Sequence, residues 1–393
     1  MQLSDRALQR RAKKYLLQSQ LELFVPALPG FEDVTRSELR QLGLDSVGNH
    51  GGLALWGDLS TIYRLNLSLR SGNRVLMRVS DLPARNYPML YNRARSIPWE
   101  VLLGRCQGVA VRVSSRRSRL RHKKHIASVL YDAISDRMRP LGLTPHLSAD
   151  GELTVLARLD HDRCILSLDT TGEHLHKRGY RTGAVPAPIR ETTAAAILLA
   201  AASHDFDLVV DPFCGSGTFL VEAEMIASNA PPGAHRSFAI EQTPLHSEGT
   251  HRHQLRLLSQ ASTDFRQRIL GFDISQDAVE LAKRSVLRAG ASHVSLARTD
   301  ALSLDFGKLG RRSEDRLIVA NLPYGLRLGT ASGARALVDQ FALSMARTAV
   351  GWHYAIVTPR SIHLRQSGLL TTREIEFENG GVSVVASFGR VHG

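Results

Sequence analysis

Asp211-Pro212-Phe213-Cys214-Gly215-Ser216-Gly217-Thr218-Phe219 follows an apolar run, Phe206 to Val210, and leads into a helical pattern that ends near Pro231. Strand, tight glycine turn and helix N-terminus in that order predict a nucleotide-type cofactor site, because paired glycines let the backbone turn beneath a ligand that a Cβ atom would strike. Neither phosphate-binding pattern is satisfied. A dinucleotide fingerprint needs a third glycine three residues after the second and an acid roughly 20 residues further on. Leu220 holds that glycine position, and the next strand-terminal acid is Asp273. A P-loop needs Gly-Lys-Ser/Thr, but Gly217 is followed by Thr218 and Phe219.

Further candidates follow in order. The strand-like Arg268 to Phe272 ends in Asp273, and the helical stretch Gln276 to Ala289 is stopped by Gly290. A third strand, Val294 to Ala297, precedes Asp300-Ala301, and the apolar Leu317 to Ala320 runs into Asn321-Leu322-Pro323-Tyr324-Gly325. Alternating strands and helices predict a parallel sheet covered on both faces, with these segments at the carboxyl ends of its strands. His353 to Thr358 reads as another strand. Glu374 to Phe377 and Val382 to Phe388 read as a closing antiparallel pair around Asn379-Gly380-Gly381.

The glycine loop resembles motif I of the class I S-adenosylmethionine-dependent methyltransferases. The resemblance implies a Rossmann-like seven-stranded α/β sheet with S-adenosylmethionine as cofactor. Asp211, Phe213, Cys214, Gly215, Ser216, Gly217 and Thr218 would receive its methionine part, Asp273 its ribose hydroxyls and Asp300 its adenine amine. Asn321-Leu322-Pro323-Tyr324 resembles the Asn-Pro-Pro-Tyr motif of enzymes that methylate exocyclic amines of bases. An aryl amine delocalises its lone pair into the ring and is a poor nucleophile, but its protons can be held by an amide oxygen and a backbone carbonyl. Asn321, counted with the cofactor site as well, would supply the first and Leu322 the second. Tyr324 would stack on an extruded base in a loop stiffened by Pro323. Leu322 replaces the first proline of the commonest pattern, and the carbonyl survives the change.

The chain has 393 residues, enough for two or three domains, and its 50 Lys and Arg against 37 Asp and Glu give a net charge of +13. That balance favours a polyanionic partner. No apolar run has transmembrane length and no signal-peptide pattern is present, so no membrane partner and a cytoplasmic location are expected. Cys106, Cys164 and Cys214 form no Cys-x-x-Cys pair, and His246, His251 and His253 lack partners at ligand spacing, so neither a disulfide framework nor a metal site is expected. The histidines read as part of a solvated helical insertion. Between Arg105 and His125 stand eight Lys or Arg and no acid. Arg116, Arg117, Arg119, Arg121, Lys123 and Lys124, after a strand-like alternation of Val109, Val111 and Val113, would meet successive phosphates of an RNA.

Wider resemblance sets the domain organisation. Leu23 to Gly43 is similar to the ferredoxin-like domain that opens THUMP-containing RNA methyltransferases, and Val75 to Thr171 to the THUMP domain. His174 to Arg181 and Ala187 to Thr192 resemble segments of the bacterial 23S rRNA guanine-N2 methyltransferases. The expected division is a basic extension over 1–20, a ferredoxin-like domain over 21–74, a THUMP RNA-binding domain over 75–172, a linker over 173–186 with its hinge at Thr182 to Pro186, and a class I methyltransferase domain over 187–393. Arg190 and Glu191, at the start of an alanine-rich helix, are candidates for closing over the cofactor or for helix capping and surface pairing. The expected activity is methyl transfer from S-adenosylmethionine to the N2 amine of a guanosine, in ribosomal RNA. The alternatives are a tRNA guanine-N2 enzyme, an adenine-N6 enzyme, or an RNA-binding assembly factor without turnover. A monomer is favoured.

Overall fold

A computed structural model describes residues 3–17, 20–49, 51–181, 183, 188–201, 206–262, 265, 267–311, 313–323, 331–362, 364 and 369–392. Tyr324 and the hinge positions Thr182, Ala184, Val185 and Pro186 lie outside the described residues. The chain forms two compact units. One comprises Met1–Pro26, Leu39–Leu175 and Arg236–Leu257, the other Ala27–Glu38, His176–His235 and Leu258–Gly393.

The first unit is built on an eight-stranded sheet. Its strands are β1 (Leu21–Pro26), β2 (Val47–Asn49), β3 (Gly52–Gly57), β4 (Leu76–Pro83), β5 (Gly108–Arg116), β6 (His146–Leu147), β7 (Leu153–Asp160) and β8 (Arg163–Asp169), in the order β2-β3-β1-β4-β8-β7-β5-β6. Leu23 pairs with Met77 and Phe24 with Leu76, so strands expected in the ferredoxin-like and THUMP segments share one hydrogen-bonded sheet. The alternation read at Val109, Val111 and Val113 is β5. Along β7, Leu153, Val155, Ala157 and Leu159 are buried, while Leu156 and Arg158 are only half-buried. This period of two marks one sealed face and one more open face.

The segment expected as a basic extension is a helix, Asp5–Leu17, that buries Leu8 and Ala12 and pairs Arg11 with Glu100 and Asp5 with Arg105. One sequence expectation is corrected here. The histidine-bearing insertion is docked. The buried Tyr63 shares a hydrogen bond of 2.6 Å with His246 Nδ1 and stacks on His251 at 5.1 Å, and Gln254 donates to Ser60 Oγ at 2.7 Å. A buried phenol needs a polar partner, and the insertion provides it.

The second unit holds a seven-stranded sheet of β9 (Leu208–Asp211), β10 (Arg268–Asp273), β11 (Val294–Arg298), β12 (Arg316–Asn321), β13 (His353–Pro359), β14 (Thr371–Asn379) and β15 (Val382–Arg390). The order is β11-β10-β9-β12-β13-β15-β14. β9 to β13 are parallel and β15 runs antiparallel between β13 and β14, as the glycine turn at Gly380-Gly381 led us to expect. Val209, Leu317 and Val319 enter one apolar cluster with Phe219 and Leu220. Leu208, Val210, Ile318 and Ala320 enter another with Phe341 and Trp352. Alternate residues of doubly covered strands thus feed two cores. Parallel pairing puts Asp211, Asp273 and Asn321 at the same edge, where the order reverses around β9 and where open α/β sheets bind ligands.

Candidate functional site

Hydrogen bonds shape the glycine loop between β9 and the helix Thr218–Ala227. Asp211 Oδ1 accepts from Phe213 N at 3.1 Å, Gly217 N donates to the Cys214 carbonyl at 2.8 Å, Cys214 N to the Phe272 carbonyl at 2.9 Å, and Gly215 N to Asp273 Oδ2 at 3.0 Å. Gly215 and Gly217 have φ of 53° and 80°, the left-handed region that glycine occupies without penalty. Burial pushes the Asp211 carboxyl well above the usual range, with the Asp273 charge adding to it and the Phe213 amide opposing it. Burial first, then the same two carboxylates, pushes the Cys214 thiol well up. This favours the protonated, poorly nucleophilic thiol and fits the small buried role.

A cleft with an empty volume of about 320 Å³ is lined by Pro188, Ile189, Asp211, Phe213, Cys214, Gly215, Ser216, Thr218, Phe219 and Asn321. It therefore joins the glycine loop to the Asn321 end of β12 and the segment before the helix Glu191–Ala201. The residues fit a ligand with a polar, charged end, since loop backbone, two hydroxyls and an amide meet apolar walls. Asp273 does not line this cleft. Its Oδ1 accepts from Ser275 N at 2.9 Å, so it braces the loop, and its two oxygens retain acceptor capacity. Asp300 is exposed and accepts from Leu302 N at 3.0 Å. Leu322 is 1% exposed and belongs to an apolar core cluster. This explains the leucine where a proline is commoner, because the side chain helps anchor the loop. Pro323 is half-buried.

Arg190 is exposed, whereas Glu191 is 4% exposed and 3.4 Å from Arg181, which corrects the expectation of a surface pair. Arg181 was missed in the sequence. It donates to the Ile189 carbonyl at 2.6 Å and to Thr218 Oγ1 at 2.9 Å, so one guanidinium ties two walls of the cleft. Beside it Tyr180 donates to Glu222 Oε1 at 3.0 Å, and Arg178 lies 3.5 Å from the same oxygen. The expected linker is thus packed as far as Arg181. Within the segment read as linker, Lys177 is exposed, and the distant partners Glu222 and Glu191 are what hold Arg178 and Arg181 inward. Phe219 too carried no sign beyond its place after the loop.

In the first unit Arg116, Arg117, Arg119, Arg121, Lys123 and Lys124 are all exposed between β5 and the helix Lys123–Met138. The tip is ordered by its own bonds. Arg117 has φ of 47°, Arg119 N donates to Asp162 Oδ1 at 2.7 Å, and Ser115 Oγ donates to the carbonyl of the buried Leu120 at 2.6 Å. Among the described residues no group of three His, Cys, Asp or Glu could hold a metal, and no helix is long and apolar enough to cross a membrane.

Residues 178–387 match the family model described as RMKL-like, methyltransferase domain, and residues 22–76 match that of the RlmL ferredoxin-like domain. The chain belongs to the RMKL-like methyltransferase family. Its α/β fold is that of class I methyltransferases, with a ferredoxin-like N-terminal domain. Ribosomal RNA large subunit methyltransferase K/L of Methylococcus capsulatus is 31% identical over 379 residues, covering 92% of this chain and 50% of that protein. The protein of the same name from Syntrophotalea carbinolica is 30% identical over 384 residues, covering 92% and 52%. The chain spans about half the length of these curated relatives. Among solved structures, SMU.472 complexed with SAH is 28% identical with a TM-score of 0.84, covering 96% of this chain and 99% of that one.

Proposed function

We propose that the protein transfers the methyl group of S-adenosylmethionine to the N2 amine of a guanosine in large-subunit ribosomal RNA. The observation that carries this reading is the meeting of Asn321 with the glycine loop in one cleft. Support comes also from the two relatives named as ribosomal RNA large subunit methyltransferases and from a structural neighbour complexed with SAH, the demethylated form of the cofactor.

S-adenosylmethionine supplies an already activated methyl donor, so the chain's own task is positioning. Asp211 and the backbone and hydroxyls from Phe213 to Thr218 hold the methionine end. Asp273 accepts from the ribose, Asp300 meets the adenine amine, and Arg190 closes nearby. Asn321 Oδ1 and the Leu322 carbonyl accept hydrogen bonds from the two amine N–H groups of an extruded guanine, and Pro323 and Tyr324 offer its stacking surface. The THUMP reading of 75–172 belongs to this proposal, with Arg116, Arg117, Arg119, Arg121, Lys123 and Lys124 on RNA phosphates. Nucleoside mass spectrometry on ribosomal RNA from a strain lacking the protein, with and without purified enzyme and cofactor, tests it. Loss and restoration of N2-methylguanosine is expected. Restoration of N6-methyladenosine, or of a mark on tRNA alone, overturns it.

A further inference from the structure

A second cavity lies on the more open face of the eight-stranded sheet. It has an empty volume of about 670 Å³, and its lining includes Phe24, Leu76, Arg78, Arg112, Leu156 and Ser167. Register explains its composition. Arg112 pairs with Leu156, Leu156 with Ser167, and Ser167 with Arg78, so one row across β5, β7, β8 and β4 begins and ends in a guanidinium. Three strand spacings of ~4.8 Å separate the ends by about 14 Å, with an apolar and a hydroxyl side chain between them. In the next row Ser114 pairs with Arg158, Arg158 with Ile165 and Ile165 with Asp81, so a third arginine stands beside the apolar floor and an acid closes that row on β4.

Two further features single out an occupant. Arg78 is held over the Phe24 ring, 4.8 Å from its centroid, and pairs with Glu22, so its planar cation is fixed before anything binds. The alternation of β5 then carries exposed Arg112, Ser114 and Arg116 along one face straight into the arginine-rich tip. Positive charge thus predominates from the tip, where Asp160 stands opposite Arg116, to the cavity, whose lining holds Arg78, Arg112 and Arg158 and no acidic residue. An apolar floor between two guanidinium groups, one of them held over Phe24, suits an unstacked base with its flanking phosphates. A duplex would keep its bases stacked inside and could engage only the rim.

We infer that this sheet face seats an unpaired stretch of RNA, continuing the path begun at the tip. The inference rests on the reading of the protein as an RNA methyltransferase and adds to it where single-stranded substrate lies. The full chain is titrated by fluorescence anisotropy with labelled octauridylate and with a blunt RNA duplex of 12 base pairs. The double variant Arg112→Ala with Ser114→Trp should weaken octauridylate roughly tenfold or more, with a smaller salt slope, and leave the duplex within about twofold. Equal losses for both probes, or no loss, overturn the inference while the proposed function stands. If the unsubstituted protein binds neither RNA, the functional reading fails as well. A second measurement needs no variant. Photocrosslinking of 4-thiouridine-substituted octauridylate should map to Leu156, Ile165 or Ser167, and crosslinks confined to residues 116–124 overturn the proposal.

Discussion

Replacing Arg181 by methionine keeps the length of the stem and removes three interactions, the hydrogen bonds to the Ile189 carbonyl and Thr218 Oγ1 and the pairing with Glu191. Hydrogen bonds with one charged partner contribute about 1.5–3 kcal/mol, and stranding one member of a buried ion pair destabilises by about 3–5 kcal/mol. The Arg181 side chain is 21% exposed and that of Glu191 5%, so water can enter in place of the guanidinium and the lower end applies, about 3 kcal/mol near pH 8. The loss should depend on pH. Burial raises the Glu191 carboxyl above its ordinary 4.5, and Arg181 opposes that rise. Without Arg181 the native state holds the proton more tightly still. Below 4.5 both folded and unfolded chains carry it and the penalty is absent. As pH climbs from there the unfolded chain ionises freely, and native stability is lost until the folded pKa is passed. The destabilisation by Arg181→Met should therefore be smaller near pH 4.5 to 5, where only the loss of the two hydrogen bonds remains, and grow toward pH 8. Urea unfolding at the two pH values measures it on the transition that S-adenosylmethionine shifts, since a ligand stabilises only the unit that binds it. Glu191→Gln added to Arg181→Met should recover part of the loss at pH 8. A pH-independent loss, or strictly additive single effects, refutes the coupling.

Three further outcomes are expected. Asp273→Ala should weaken S-adenosylmethionine by on the order of 1.5–3 kcal/mol, because a charged acceptor is lost along with the brace on Gly215 N; unchanged affinity by calorimetry in a folded variant removes Asp273 from the site. Asn321→Ala should leave cofactor and RNA affinity nearly intact and slow single-turnover methylation by roughly 100-fold or more, and a loss lying wholly in RNA binding contradicts the amine-holding role. Changing Arg116, Arg117, Arg119 and Arg121 together to Ala should flatten the dependence of log affinity for RNA on log salt by about one unit per lost phosphate contact, without altering cofactor affinity. An unchanged slope in filter binding means that RNA docks elsewhere.

Sequence alone determined the methyltransferase-fold half of this protein closely. The strands ending at Asp211, Asp273 and Asn321, the glycine turn at Gly215 and Gly217, and the hairpin at Gly380-Gly381 were legible because each is encoded among neighbours, in an apolar run, a positive-φ glycine or a strand terminus. The exposed charge of Arg116 to Lys124 was legible for the same reason, with no acid among its sequence neighbours from Arg105 to His125. Only the tertiary structure decided the rest. Arg178 and Arg181 look like linker charge until Glu222 and Glu191 bury them. Histidines 246 and 251 look solvated until Tyr63 supplies a hydroxyl and a ring. Arg78 and Arg112 stand 34 positions apart in sequence, and pairing of β4, β8, β7 and β5 places them at opposite ends of one row. A local pattern reports which face of an element turns inward, but the partner of a buried charge and the walls of a cavity are chosen by strand order and register, which join residues that no window of sequence contains together.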